Sequence, residues 1–152
     1  MINVNFAQIA EQKPVDDGIY PVIVRGFERT PKTDDECMQL IRDGKYPYMK
    51  VRFEISDGPD AGKAVFANMT LNPEPSKNGN AKNFMLCNFL KVLDLLPEDF
   101  FERDPEDRVI QFDPNDVLNR ELQIQVTKEM GKDAEGNETE MRNNVKKFFP
   151  LD

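Results

Sequence analysis

YPYMKVRFEISDGPDAGKAVFANMTLN, residues 46–72, decides how the chain is read. Met49, Val51, Phe53 and Ile55 alternate with Lys50, Arg52 and Glu54, and Val65, Ala67, Met69 and Leu71 alternate with Phe66, Asn68 and Thr70. A period of two places alternate side chains on opposite faces of a strand. The stretch therefore predicts two strands, each with one apolar face. Ser56 to Lys63 lies between them and carries Gly58, Pro59 and Gly62, the composition of a hairpin turn. It does not make a phosphate loop: the spacing from Gly58 to Gly62 is too short, Ala64 stands where Ser or Thr is required, and a strand follows in place of a helix. The outward set, with Tyr48, Lys50, Arg52 and Phe66, is cationic and aromatic on a single face.

The 152 residues suit one domain, spanning 1–152, and a hydrophobic fraction of 39% is enough for a core. No apolar run approaches the roughly 20 residues of a membrane helix. The opening MINVNFAQIAEQK has no basic start followed by an apolar stretch, so the expectation is a cytoplasmic protein without a signal peptide. Cys37 and Cys87 are far apart and near no other ligand type, which predicts two thiols that form neither a disulfide nor a metal site. There is no histidine, which removes the commonest general base and zinc ligand. The expectation is a binding protein without catalytic residues, metal or cofactor.

The net charge of −8 argues against nucleic acid when taken alone. Its distribution changes the argument. Between positions 97 and 121 stand nine acids and three bases, so the rest of the chain carries a net charge of only −2. The acidity belongs mostly to one connector, residues 97–119, and a strand face elsewhere can be locally positive. These acids match no calcium-loop spacing, and a solvated loop is the simpler reading.

Outward from the central hairpin, residues 1–17 are expected as an N-terminal extension, with Asn5 able to cap a short turn. Residues 19–30 predict a first strand: Tyr20, Val22 and Val24 on one face, Ile23, Arg25, Phe27 and Arg29 on the other. Pro21 places that strand at an edge or near its own beginning. The long connection that follows has room for a short helix from Asp34 or Asp35 carrying Met38, Leu40 and Ile41, ended by Gly44. Residues 81–96 are the one convincing helix, with Met85, Phe89, Val92, Leu93 and Leu96 at helical spacing, Asn80 as cap and Pro97 as stop. Asp113-Pro114 is a cap and first-turn proline, with the turn ending near Asn119. Leu122, Ile124 and Val126 make the inward face of a fourth strand over 120–130, and MRNNVKKFF at 141–149 is the fifth.

Five strands with an α-helix between the third and fourth predict a mainly β fold, an OB-fold-like barrel. An α+β sheet with one covering helix is the alternative. In an OB-fold the ligand crosses strands 2 and 3, flanked by the loops joining strands 1–2 and 4–5.

The chain also resembles a family of small phage-encoded proteins, many of unknown function and others described as phage single-stranded DNA-binding proteins. The residues that carry the resemblance are Gly18-Ile19-Tyr20-Pro21-Val22, Met49-Lys50-Val51-Arg52-Phe53-Glu54-Ile55, Asp57-Gly58 with Gly62-Lys63, Val65-Phe66, Asp116-Val117-Leu118-Asn119-Arg120-Glu121-Leu122 and Asn143-Asn144-Val145-Lys146. Asn119 stands where such proteins often have glycine, and Asn tolerates a left-handed backbone. The resemblance implies an OB-like fold and a role in phage DNA replication or recombination. It supplies no catalytic residue.

Single strands are held by a basic groove that follows phosphates and by aromatic rings that stack on bases. Arg25, Arg29, Lys50, Arg52 and Lys146 are the phosphate candidates, Phe27, Tyr48 and Phe66 the stacking candidates. Lys128, Lys132, Arg142 and Lys147 extend the groove along the last hairpin. Binding is expected to tolerate most sequences. The acidic connector is expected to recruit phage or host replication or recombination proteins, or to limit off-target binding by repulsion. The alternative function is an OB-like protein–protein adaptor for a phage replication or recombination protein. A metal-dependent nuclease fits worse, because its carboxylates belong on adjacent strand ends beside a lysine, not in a connector.

Overall fold

Alternation of apolar residues drives five strands into one antiparallel sheet: β1 (Gly18–Thr30), β2 (Tyr48–Ile55), β3 (Ala64–Thr70), β4 (Glu121–Lys132) and β5 (Glu138–Phe149). The structure, a computed structural model, describes residues 13–77, 79, 81–104 and 113–151. The order across the sheet is β3-β2-β1-β4-β5. No ladder joins β3 to β5 among the described residues, so the sheet is open in its hydrogen bonding, although Cα atoms of these two strands come within 8 Å of each other.

β1 is the central strand, pairing with β2 along its second half and β4 along its first. Pro21 therefore does not mark an edge. It sits near the strand's beginning, where its carbonyl accepts from Ser56 N at 2.9 Å, just past the last β1–β2 pair. The nitrogen of a strand residue points to the same side as its carbonyl, so the missing N–H costs no bond to β4.

The alternation expected for β1 breaks at one point. Val24 pairs with Phe53 and Gly26 with Arg52, leaving Arg25 as an extra residue in a β-bulge. Beyond it the faces exchange. Phe27 pairs with Val51 and turns into the core, where it is 6% exposed. The expectation that Phe27 shares the outer face with Arg25 is overturned by this one inserted residue.

Two α-helices accompany the sheet. The anticipated one, α2 (Phe84–Val92), is shorter than the apolar pattern suggested. Asn83 holds its N-cap position, and the expected cap Asn80 lies outside the described residues. Residues 81–83 are tied instead to the preceding loop, through the Pro75–Ala81 bridge and Lys82 N to Glu74 O at 2.8 Å. The helix stops before Pro97. Asp94 turns left-handed at φ 60°, and the N–H groups of Asp94 and Leu95 reach back to Lys91 O and Leu90 O at 3.0 and 2.9 Å, a Schellman closure. Arg120 Nη2 adds a hydrogen bond to Leu93 O at 2.6 Å.

The other helix, α1 (Asp34–Arg42), occupies the β1–β2 connection. Thr33 Oγ1 caps it by accepting from Glu36 N. Cys37 is its buried residue, whereas Met38 and Ile41 stay exposed. Asp113 caps the 3₁₀ turn Pro114–Asp116 by accepting from Asn115 N at 2.9 Å, and Asn119 is left-handed at φ 65°, both as expected.

The core lies between the inner sheet face and α2. Phe89 of α2 has Phe148, Phe53 and Phe27 around it at centroid distances of 5.2, 5.9 and 6.0 Å. The expected inward sets of β2, β3 and β4 are all buried within their strands. The supposed N-terminal extension is anchored at Val15. Val15 is 2% exposed, and its N–H and carbonyl are both bonded by the Asn143 side chain, at 2.9 and 2.8 Å. The Asn5 turn lies outside the described residues, as do Val109, Ile110 and Phe112 of the connector. Among the described residues no helix is long and apolar enough to cross a membrane.

Candidate functional site

The outer face of β1, β2 and β3 carries a concavity of about 290 Å³ lined by Arg25, Gly26, Glu28, Lys50, Arg52 and Phe66. Strand register assembles it. Gly26 and Arg52 are cross-strand neighbours, as are Arg52 and Phe66, so one row across three strands reads glycine, arginine, phenylalanine. The next row is Glu28, Lys50 and Asn68. Directly opposed side chains in an antiparallel pair stand about 5 Å apart at Cβ, close enough to act as one surface.

Phe66 is half exposed, at 50%, so its ring is accessible from this face. Lys50 Nζ lies 5.4 Å from the ring centroid, within cation–π range. Gly26 forms the floor. A Cβ there would meet Arg52 Cβ at 3.3 Å, so the absence of a side chain leaves room for Arg52 on the neighbouring strand. The bulge does a second thing: it leaves Arg25 on the outer face beside Gly26. Arg25 Nε is 3.1 Å from Glu54 Oε2, and its Nη1 donates to Asn119 Oδ1 at 2.8 Å, which ties the end of the connector to this face. Among the described residues, Lys50, Arg52 and Glu28 form no ion pair.

Of the residues expected here, Arg25, Lys50, Arg52 and Phe66 come together. Tyr48 is on the same face, one step along β2 from Lys50 and outside the concavity, between Thr30 and Thr70. Phe27 and Arg29 do not belong to it. Both follow the bulge, and Arg29 instead braces the start of α1, donating to Pro31 O, Lys32 O and Asp34 Oδ1 at 3.2, 3.0 and 2.8 Å.

The β4–β5 candidates form a separate arm. Lys128 falls in the inward alternation class with Val126 and is engaged by the N-terminal segment: its Nζ is 3.1 Å from Asp16 Oδ1, and its backbone N–H donates to Asp17 Oδ1 at 2.6 Å. Lys146 is the extra residue of a second bulge, between the Val126–Val145 and Gln125–Lys147 pairs, and its Nζ lies 2.7 Å from Glu129 Oε1. That hydrogen bond, with further donors Thr127 and Asn144, holds the Glu129 carboxyl below the usual carboxylate range. Arg142 is exposed opposite Glu129 and, among the described residues, makes a long 3.5 Å contact to Lys132 O.

Two members of the concavity, Gly26 and Glu28, were not anticipated. The signal for them was Gly26 itself: a glycine inside an alternating run marks a bulge or a close approach of chains. A scan against protein-family models finds no match for the chain, and a search of curated proteins finds none either.

Proposed function

We propose that this protein binds single-stranded DNA across the outer face of β1, β2 and β3, as a non-catalytic component of phage replication or recombination. The observation that carries the reading is the half-exposed Phe66 with Lys50 over its ring and the unpaired Arg52 beside it. A ring flanked by cations offers what a single strand needs: a plane for a base and positive charge for the phosphates on either side. Tyr48 continues the surface along β2. Lys146 and Arg142 extend it only if the strand also crosses the β4–β5 arm. The resemblance to phage single-stranded DNA-binding proteins points the same way.

The same proposal takes the sheet as an OB-like barrel. Support comes from the order β3-β2-β1-β4-β5, the approach of β3 to β5, and Phe89 of α2 filling the space beside Phe148. In that fold the face bearing Phe66 is the ligand face.

Fluorescence anisotropy with labelled oligo-dT, mixed-sequence single strand and matched duplex, at low and high salt, tests the reading. Preferential single-strand binding that weakens with salt is expected. Phe66→Ala is expected to cost about 1–3 kcal/mol of binding free energy, the contribution of one stacked base. Absence of binding to all three at low salt would overturn the reading in favour of a protein–protein adaptor.

A further inference from the structure

Glu28 is out of place in a groove built only to follow phosphates. It lines the same concavity as Phe66 and sits directly across from Lys50, yet the two do not pair. Lys50 reaches the other way, diagonally over the Phe66 ring on β3. The other acid of this face, Glu54, is neutralised by Arg25. Among the described residues Glu28 accepts no hydrogen bond and forms no ion pair, so both carboxylate oxygens are available at the β1 side of the concavity.

Resting on the reading of this face as a single-strand interface, we infer that the concavity selects one base and that the base is guanine, stacked on Phe66 with its Watson–Crick edge on Glu28. Neighbouring strands are spaced by about 4.8 Å, so β1 and β3 stand about 10 Å apart, and Glu28 lies one row along from Phe66, a diagonal of about 12 Å that a purine, a hydrogen bond and the glutamate side chain together span. Glycine at position 26 puts no side chain beside Glu28 at the β1 side of the concavity. A carboxylate is an acceptor with two parallel oxygens. Guanine is the one DNA base that presents two adjacent donors, N1–H and N2–H, to such a fork. Adenine and cytosine each offer one amino donor beside a ring nitrogen acceptor that the carboxylate repels. Thymine N3–H is flanked by two carbonyl oxygens. The stacked base takes the place of the Lys50 ammonium over the ring, which leaves Lys50, with Arg52 on the same strand, for guanine O6 and the flanking phosphates.

The test uses the full chain at low salt, with labelled oligo-dT and the same strand carrying one central dG, dC or dA. The single-dG strand is expected to bind at least about fivefold tighter than oligo-dT, the low end of what a bidentate base contact supplies. Glu28→Gln and Glu28→Ala are expected to tighten oligo-dT binding, because a negative charge leaves the phosphate path, and to abolish the preference for dG. Equal binding of dG and dT strands by the unaltered protein overturns the guanine assignment and leaves strand binding standing. A dG preference that survives in Glu28→Ala also overturns it, because guanine is then read elsewhere. Failure to bind any strand removes both readings together.

Discussion

Phe27 and Phe66 show what one inserted residue does to a side chain's role. Phe27 alternates with Arg25 and Arg29 along its own strand, Phe66 sits opposite Arg52 on the next one, and both are candidates for stacking in the sequence. The bulge at Arg25 sends Phe27 inward against Phe89, whereas β3 has no bulge and Phe66 stays outside. The two are expected to respond oppositely to truncation. Phe27→Ala should lower the stability measured by denaturant unfolding by about 3–5 kcal/mol, the usual cost of emptying a buried phenylalanine site. Phe66→Ala should leave the unfolding midpoint close to that of the unaltered protein while weakening DNA binding. A Phe27→Ala variant of normal stability and impaired binding would contradict the buried placement.

The β4–β5 arm carries its own electrostatic signature. Glu129 accepts from Lys146, Thr127 and Asn144, and the bond from Lys146 does most to hold its carboxyl below the ordinary value. In the unfolded chain the carboxyl returns to that ordinary value. Its contribution to stability is therefore fully present above the ordinary carboxylate pKa and is lost as pH falls through the lowered native one. Glu129 is well exposed, so the effect is small. Glu129→Gln should unfold at slightly lower denaturant than the unaltered protein at neutral pH, and the gap should close as the solution is acidified. A gap that persists unchanged into strong acid would show that ionisation of Glu129 is not its source. The elements also show where local signals stop. α2 was visible from the spacing of Phe89, Leu93 and Leu96, but its end was not, because closure at Asp94 depends on a left-handed residue that the sequence does not advertise as a glycine would. For α1 the start was visible from its acids, whereas the burial of Cys37 and the exposure of Met38 and Ile41 were set by the tertiary structure.

Over the whole molecule, a net charge of −8 opposes a polyanion, and three cations line the concavity. If Arg25, Lys50 and Arg52 each neutralise one phosphate, the logarithm of affinity should fall with the logarithm of salt with a slope of about −2. The connector carries most of the net negative charge. Replacing Glu98, Glu102 and Asp104 by their amides, with Asp99 left in its 2.9 Å pair with Arg103, should raise affinity at low salt. The gain should vanish at high salt, because the screening length shrinks from about 10 Å at 0.1 M to about 3 Å at 1 M. An unchanged affinity at low salt would mean the connector's charge is not felt at the binding face.

Local pattern alone determined the five strands, the central hairpin with its Gly58 and Gly62 turn, the inward sets of β2, β3 and β4, the main helix and the outward placement of Lys50, Arg52 and Phe66. Each of these rests on the period of side chains along one segment, or on glycine and proline chemistry within a few residues, so the segment carries its own answer. Only the tertiary structure decided that β1 is central, that Phe27 is core, that Arg29 and Lys128 are already engaged, and that Glu28 lines the same concavity as Phe66. The physical reason is register. A bulge moves one strand by one residue against its neighbour, and with a side-chain period of two, that single step exchanges the faces of everything after it.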